Sequence, residues 1–262
     1  MNKRGQLTIF VILGILILAV AITFILISVE KGNEEKNKLI NTDQKTDVGL
    51  FVEDCVKLAV DESISKILKH GGETEKRGPF LTHNFEDINY LCHTPEYSEN
   101  CVNLEPLLIP HVEKEISEDS IKKVESCFNR LENLYSTFKV SKGDLKYEIA
   151  ILPGRVNVLL KKEIKIKKDN TELTYEDFSF EFNSPLDTFL TITTEVINLE
   201  ATCNCLQENC AENYLNLNRF YQNFITTREI TSTGEKVYTI EYLGEEMQFD
   251  FAVRNCIRDY EQ

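Results

Sequence analysis

From Gln6 to Val29 the chain carries no charged side chain, and Leu7 to Val29 is a run of Leu, Ile, Val, Phe and Ala interrupted by Thr8, Gly14, Thr23 and Ser28. At about 1.5 Å rise per residue this helix reaches roughly 35 Å, enough to cross a hydrocarbon core of about 30 Å with some tilt. Lys31 to Asp47 is almost devoid of apolar residues and predicts a polar stalk. The pattern then turns amphipathic. Phe51, Val52, Cys55, Leu58, Ala59, Ser63, Ile64, Ile67 and Leu68 recur at steps of three and four and predict a helix that stops at Gly71-Gly72. Residues 73–110 contain Gly78-Pro79, Pro95, Pro106 and Pro110 and predict an irregular connection. From Ile109 to Phe138 helical spacing returns through Val112, Ile116, Ile121, Val124, Cys127, Phe128, Leu131 and Tyr135, with Ser117 and Asp119 marking an expected break. This helix is the expected hairpin partner of the first.

After Gly143 the period falls to two. Leu145–Ile151, Arg155–Lys161, Glu163–Lys167 and Glu172–Phe182 predict an antiparallel meander, with Pro153-Gly154 and Asp169-Asn170 as turns. Ser184-Pro185 opens a further helix, because proline suits the first helical turn, and Leu186, Phe189, Leu190, Thr193, Val196, Ile197 and Ala201 line one face. Phe224–Thr231, Lys236–Leu243 and Met247–Arg254 predict three last strands. The expected fold is therefore α+β: an N-terminal transmembrane helix, a helical hairpin, then antiparallel meander units with an intervening helix. The expected domains are a cytoplasmic leader (1–6), the membrane helix (7–29), the stalk (30–47) and an extracytoplasmic α+β domain (48–262), helical over 48–140 and sheet-rich over 141–262.

Charge orients the apolar run. Lys3 and Arg4 precede it, whereas Glu30, Lys31, Glu34 and Glu35 follow it, so the positive-inside bias keeps the N-terminus cytoplasmic. A cleaved secretory signal has an apolar region of about 7–15 residues and a small-x-small site. Neither feature is present, and a retained anchor in the lipid bilayer through residues 7–29 is expected. The remaining 27 of the 29 basic residues and all 43 acidic residues lie beyond the run, a formal charge of −16. That balance argues against nucleic acid and anionic lipid headgroups as partners.

All eight cysteines, Cys55, Cys92, Cys101, Cys127, Cys203, Cys205, Cys210 and Cys256, lie beyond the anchor, where an oxidising compartment favours disulfides. Cys92 and Cys101 bracket a short loop and suit a local pair, and Cys55 with Cys127 suits a long-range one, although spacing alone does not fix connectivity. Zinc is the weaker reading of the Cys203-Asn-Cys205 and Cys210 cluster, because structural zinc sites favour paired Cys-x2-4-Cys knuckles. His70, His83, His93 and His111 match no catalytic or metal-binding pattern and read as surface histidines. Nucleophile elbows and phosphate-binding glycine loops are missing. No catalytic residue, cofactor or metal ligand is expected, and the chain is not expected to be an enzyme.

Lys3-Arg4-Gly5-Gln6 directly before the apolar helix resembles the class III signal of archaeal type IV pilin-like proteins. The resemblance implies cleavage between Gly5 and Gln6 on the cytoplasmic side, and a helix that serves first as anchor and then as filament core. Thr8 meets the family's serine or threonine at the third mature position, and Phe10 stands where an acidic residue is common at the fifth. The Phe51-Val-Glu-Asp-Cys55 helix with its Gly71-Gly72 stop resembles single-span proteins of small archaeal genomes. The implied role is a surface protein of the cell membrane that acts by contact, structural or adhesive, with copies of itself or other envelope proteins as partners. A monomeric membrane-tethered receptor or accessory factor is the alternative.

Overall fold

A computed structural model describes residues 43–96, 99–134, 138–140, 145–168, 171–202 and 216–255. The expected anchor and leader, including Gly5 and Gln6, lie outside the described residues, as does the stalk up to residue 42. Among the described residues no helix is long and apolar enough to cross a membrane. The chain divides into two units, Met1–Phe51 and Val52–Gln262. Of the first, the described part is the opening of helix α1 (Asp43–Lys69), which takes in the last residues of the expected stalk.

In the second unit, α1 buries Val52, Val56, Ala59, Val60, Ser63, Ile64 and Ile67, while Leu58 stands 69% exposed. Leu68 is buried too, so the buried stripe keeps six of the expected positions, adds Val56 and Val60, and leaves Leu58 outside it. Helix α2 (Leu108–Leu134) is continuous through Ser117 and Asp119, with no break. It runs antiparallel to α1, as the cross-chain pairs show: Cys55 is disulfide-bonded to Cys127, Lys123 Nζ lies 2.7 Å from Glu62, and Lys66 Nζ lies 2.6 Å from Asp119. Asp119 therefore stays in the helix because its carboxylate is held from α1 by Lys66 and by the Ser63 hydroxyl, 2.7 Å away.

The segment expected to be irregular instead contains three strands, β1 (Phe80–His83), β2 (Glu86–His93) and β3 (Val102–Asn103). The first two form a hairpin, and the Cys92–Cys101 disulfide links β2 to the residue before β3. The helical part is therefore interrupted by sheet.

A four-stranded antiparallel sheet follows, from β4 (Phe138–Val140), β5 (Lys146–Leu152), β6 (Arg155–Lys168) and β7 (Thr171–Asn183). The expected strands Arg155–Lys161 and Glu163–Lys167 are one strand. A bulge between Lys161 and Ile164 sets three residues of β6 against two of β7, so that Ile164 pairs with Tyr175, and Ile164 is buried like Val156, Val158 and Leu160. The expected Asp169-Asn170 turn lies outside the described residues.

Helix α3 (Leu186–Thr202) starts as its sequence dictates. The Ser184 hydroxyl accepts the Leu186 amide at 3.3 Å, and the Pro185 carbonyl accepts the Thr188 and Phe189 amides. After the short helix α4 (Leu217–Phe220) come β8 (Phe224–Ile230), β9 (Lys236–Tyr242) and β10 (Met247–Arg254), close to the expected bounds. They are antiparallel to one another, but β10 pairs parallel with β2, giving a six-stranded mixed sheet ordered β1-β2-β10-β9-β8 with β3 beside β2. Helix α3 touches both sheets, and its Phe189 packs edge-on to Phe224 at 5.2 Å beside Phe249. All four cysteines among the described residues are cross-linked; Cys203, Cys205, Cys210 and Cys256 lie outside them.

Candidate functional site

The Gly71-Gly72 stop builds the site. Both glycines have positive φ, +68° and +94°, and a Cβ on Gly71 would sit 2.8 Å from the Asn89 carbonyl oxygen. The Gly72 amide donates to the Ile67 carbonyl at 3.0 Å, and Asn89 of β2 donates its side-chain amide to the His70 carbonyl at 2.8 Å. This tight turn delivers Glu73 and Thr74, both buried, to the start of α2.

There, His111 and Glu115 lie one turn apart on the same face of the helix. His111 Nε2 is 3.0 Å from Glu73 Oε1, and its Nδ1 is 3.4 Å from Glu105 Oε2, contributed by the segment between β3 and α2. Glu115 is 1% exposed. Its Oε2 accepts the Thr74 hydroxyl at 2.8 Å and the Thr74 amide at 3.2 Å, and its Oε1 accepts the Arg77 guanidinium. Glu73 Oε2 is buried and accepts no hydrogen bond; the Arg77 guanidinium is 4.0 Å away.

The charges interact strongly. The hydrogen bond to Glu73 raises the His111 pKa, against desolvation that lowers it, and the charges of Glu73, Glu105 and Glu115 add to the rise. The positive end of the α2 dipole opposes a protonated imidazole there, but by only about 0.3–1 kcal/mol, so the carboxylates prevail. At Glu115 burial alone would raise the pKa; the Thr74 hydrogen bonds and Arg77 outweigh it and leave it lowered.

Two other polar features stand out. Glu200, on the last turn of α3, is buried, and its oxygens accept from Tyr238, from Lys236 at 2.6 Å and from Asn255 at 3.0 Å. Asn255 also accepts the Cys101 amide at 2.9 Å, so the network locks α3, β9, the end of β10 and the disulfide loop together. Separately, a cleft of about 860 Å³ runs between α1, the β7–α3 junction and the β9–β10 turn. Asp61, Glu181, Glu245 and Glu246 contribute to its rim, and Ile64 and Phe182 to its apolar lining; in all it holds six carboxylates against two lysines. Desolvation raises the Asp61 pKa, with Lys57 opposing.

Of the expected site residues, the structure joins Cys55 to Cys127 and Cys92 to Cys101. His111, read from sequence as a surface histidine, is instead held between two carboxylates. Glu73, Glu105 and Glu115 carried no expectation. The signal available was a glutamate on the apolar stripe of α2, Glu115 beside Val112 and Ile116, and likewise Glu200 on that of α3. No family model, curated protein or solved structure matches the chain.

Proposed function

We propose that this chain is a membrane-anchored, extracytoplasmic, pilin-like surface protein that works by protein–protein contact. One observation carries the reading: every cysteine lies beyond the apolar Leu7–Val29 run, and the four described ones are closed as disulfides, as suits the oxidising side of a membrane. The signal-like Lys3-Arg4-Gly5-Gln6 adds the pilin character, with Leu7–Val29 exchanging lipid for copies of itself. The alternative, a monomeric tethered receptor or accessory factor, is favoured by the acid-rimmed cleft with its apolar lining, a shape suited to a basic segment of a neighbouring protein.

The test is mass spectrometry of the chain taken from its own membranes. A mature N-terminus at Gln6, together with a Cys55–Cys127 cross-linked peptide seen only before reduction, is the expected result. An intact Met1 overturns the pilin reading, and a reduced Cys55–Cys127 pair overturns the extracytoplasmic one. Imaging of surface material for filaments containing the chain then separates polymer from monomeric receptor.

A further inference from the structure

The His111 cluster draws its groups from three separate segments. Glu73 follows the Gly71-Gly72 turn, Glu105 precedes α2, and His111 sits in the first turn of α2; one ligating atom of each lies within 4.8 Å of the others. The side chains grade from the interior outward, with Glu73 10% exposed, His111 20% and Glu105 33%. The cluster is thus anchored on one side and reachable by a solvated ion on the other. The buried Glu73 Oε2 is an independent sign: it accepts no hydrogen bond, its charged neighbour among the described residues is the half-exposed Arg77 guanidinium at 4.0 Å, and a buried charged oxygen without a hydrogen bond costs about 1–3 kcal/mol or more, which a closer cation relieves.

The charge balance points the same way. Glu73, Glu105 and Glu115 bring three negative charges within reach of the permanent positive charge of Arg77, which is half exposed, engaged with Glu115 and 4.0 Å from Glu73. Beside these three carboxylates and one guanidinium, a single divalent ion balances the remaining charge. Glu73 already stands 3.0 Å from Nε2, whereas the partly exposed Glu105 lies 3.4 Å from Nδ1 and must swing across to the Nε2 side; one imidazole nitrogen with two carboxylate oxygens, and positions left for water, is then the donor set of an open site for a borderline ion. Calcium prefers six to eight oxygens and magnesium a near-ideal octahedron that keeps its waters, so neither is suited to it.

We propose that Glu73, Glu105 and His111 form a binding site for one zinc-class divalent cation. Bound there, the ion ties the end of α1 and the start of α2 to the segment that follows β3.

The experiment uses the full chain in detergent, with any free thiols alkylated so that cysteines cannot compete, titrated calorimetrically with zinc chloride. One zinc per chain is expected, undisturbed by excess calcium or magnesium. Affinity should fall at least about tenfold in both His111→Gln and Glu105→Gln. Glu105 is a partly exposed residue outside the helices and strands, so its variant keeps the test informative should His111→Gln fail to fold. Cobalt in place of zinc should give weak visible bands without intense thiolate charge-transfer bands. Absence of binding, binding only at millimolar zinc, equal affinity in folded variants, or thiolate bands would each overturn the site. None of these readouts depends on where the chain resides in the cell.

Discussion

Two buried glutamates, Glu200 and Glu73, sit in opposite circumstances. Glu200 is enclosed, and both of its oxygens are satisfied by Lys236 and Tyr238 of β9 and by Asn255 just after β10. Glu73 is equally buried but faces a half-open cluster, with one oxygen satisfied by His111 and the other by no donor. A fully paired buried charge fixes how elements pack, whereas a buried charge with spare acceptor capacity is free to engage an ion. The difference separates a structural network from a chemical one.

The strongest way to break this comparison is Glu200→Gln. Removing one partner of a buried pair leaves Lys236 uncompensated, and a loss of about 3–5 kcal/mol is expected, read as a lowered denaturation midpoint of the full chain in detergent. A loss below about 1 kcal/mol would mean the network is loosely held. Next comes Glu115→Gln, expected to cost about 1.5–3 kcal/mol through the charge-assisted bonds from Thr74 and Arg77 in the same denaturation assay.

Acid sharpens the contrast. Burial would raise the Glu200 pKa, but Lys236, Tyr238 and Asn255 outweigh it and leave it below the ordinary carboxylate range. A folded-state pKa below the unfolded value of about 4.3 gives stability that is present above that value and lost as pH falls through the folded one. Denaturation midpoints of the native chain should therefore drop below about pH 4.3, and Glu200→Gln should flatten that decline. An identical acid profile in both proteins would assign the acid sensitivity to other carboxylates.

Much of this architecture is legible in the sequence, and the failures have physical causes. Helices α1 to α3 and β8 to β10 follow from periodicity and Ser184-Pro185, and the two described disulfides are pairs that cysteine placement suited without fixing. Strand β2 escapes because Ile88, Asn89, Tyr90, Leu91 and Cys92 are all buried, so no period of two survives, and four nearby prolines mimic a loop. β6 reads as two strands because Lys161, Lys162 and Glu163 interrupt the apolar alternation where the bulge lies. The His111 cluster is invisible to local spacing. Glu73 and His111 are 38 residues apart, and their meeting depends on an antiparallel helix pair closed over a strand hairpin.

The smallest expected effect is also the most discriminating. Glu73→Gln keeps an acceptor for His111 and exchanges a buried charged oxygen that accepts no hydrogen bond for a neutral amide, so the weakened bond to the imidazole and the loss of the 4.0 Å approach to Arg77 are offset by a lower desolvation cost. Each of these opposing contributions is on the order of 1–3 kcal/mol, and their difference should change stability by less than about 1 kcal/mol in either direction. The same chemical substitution that unfolds the protein readily at Glu200 should therefore be nearly silent here in denaturation. A loss of 3 kcal/mol or more, on the order of that for a broken buried pair, would place Glu73 in the same structural class as Glu200 and remove the distinction between the two regions.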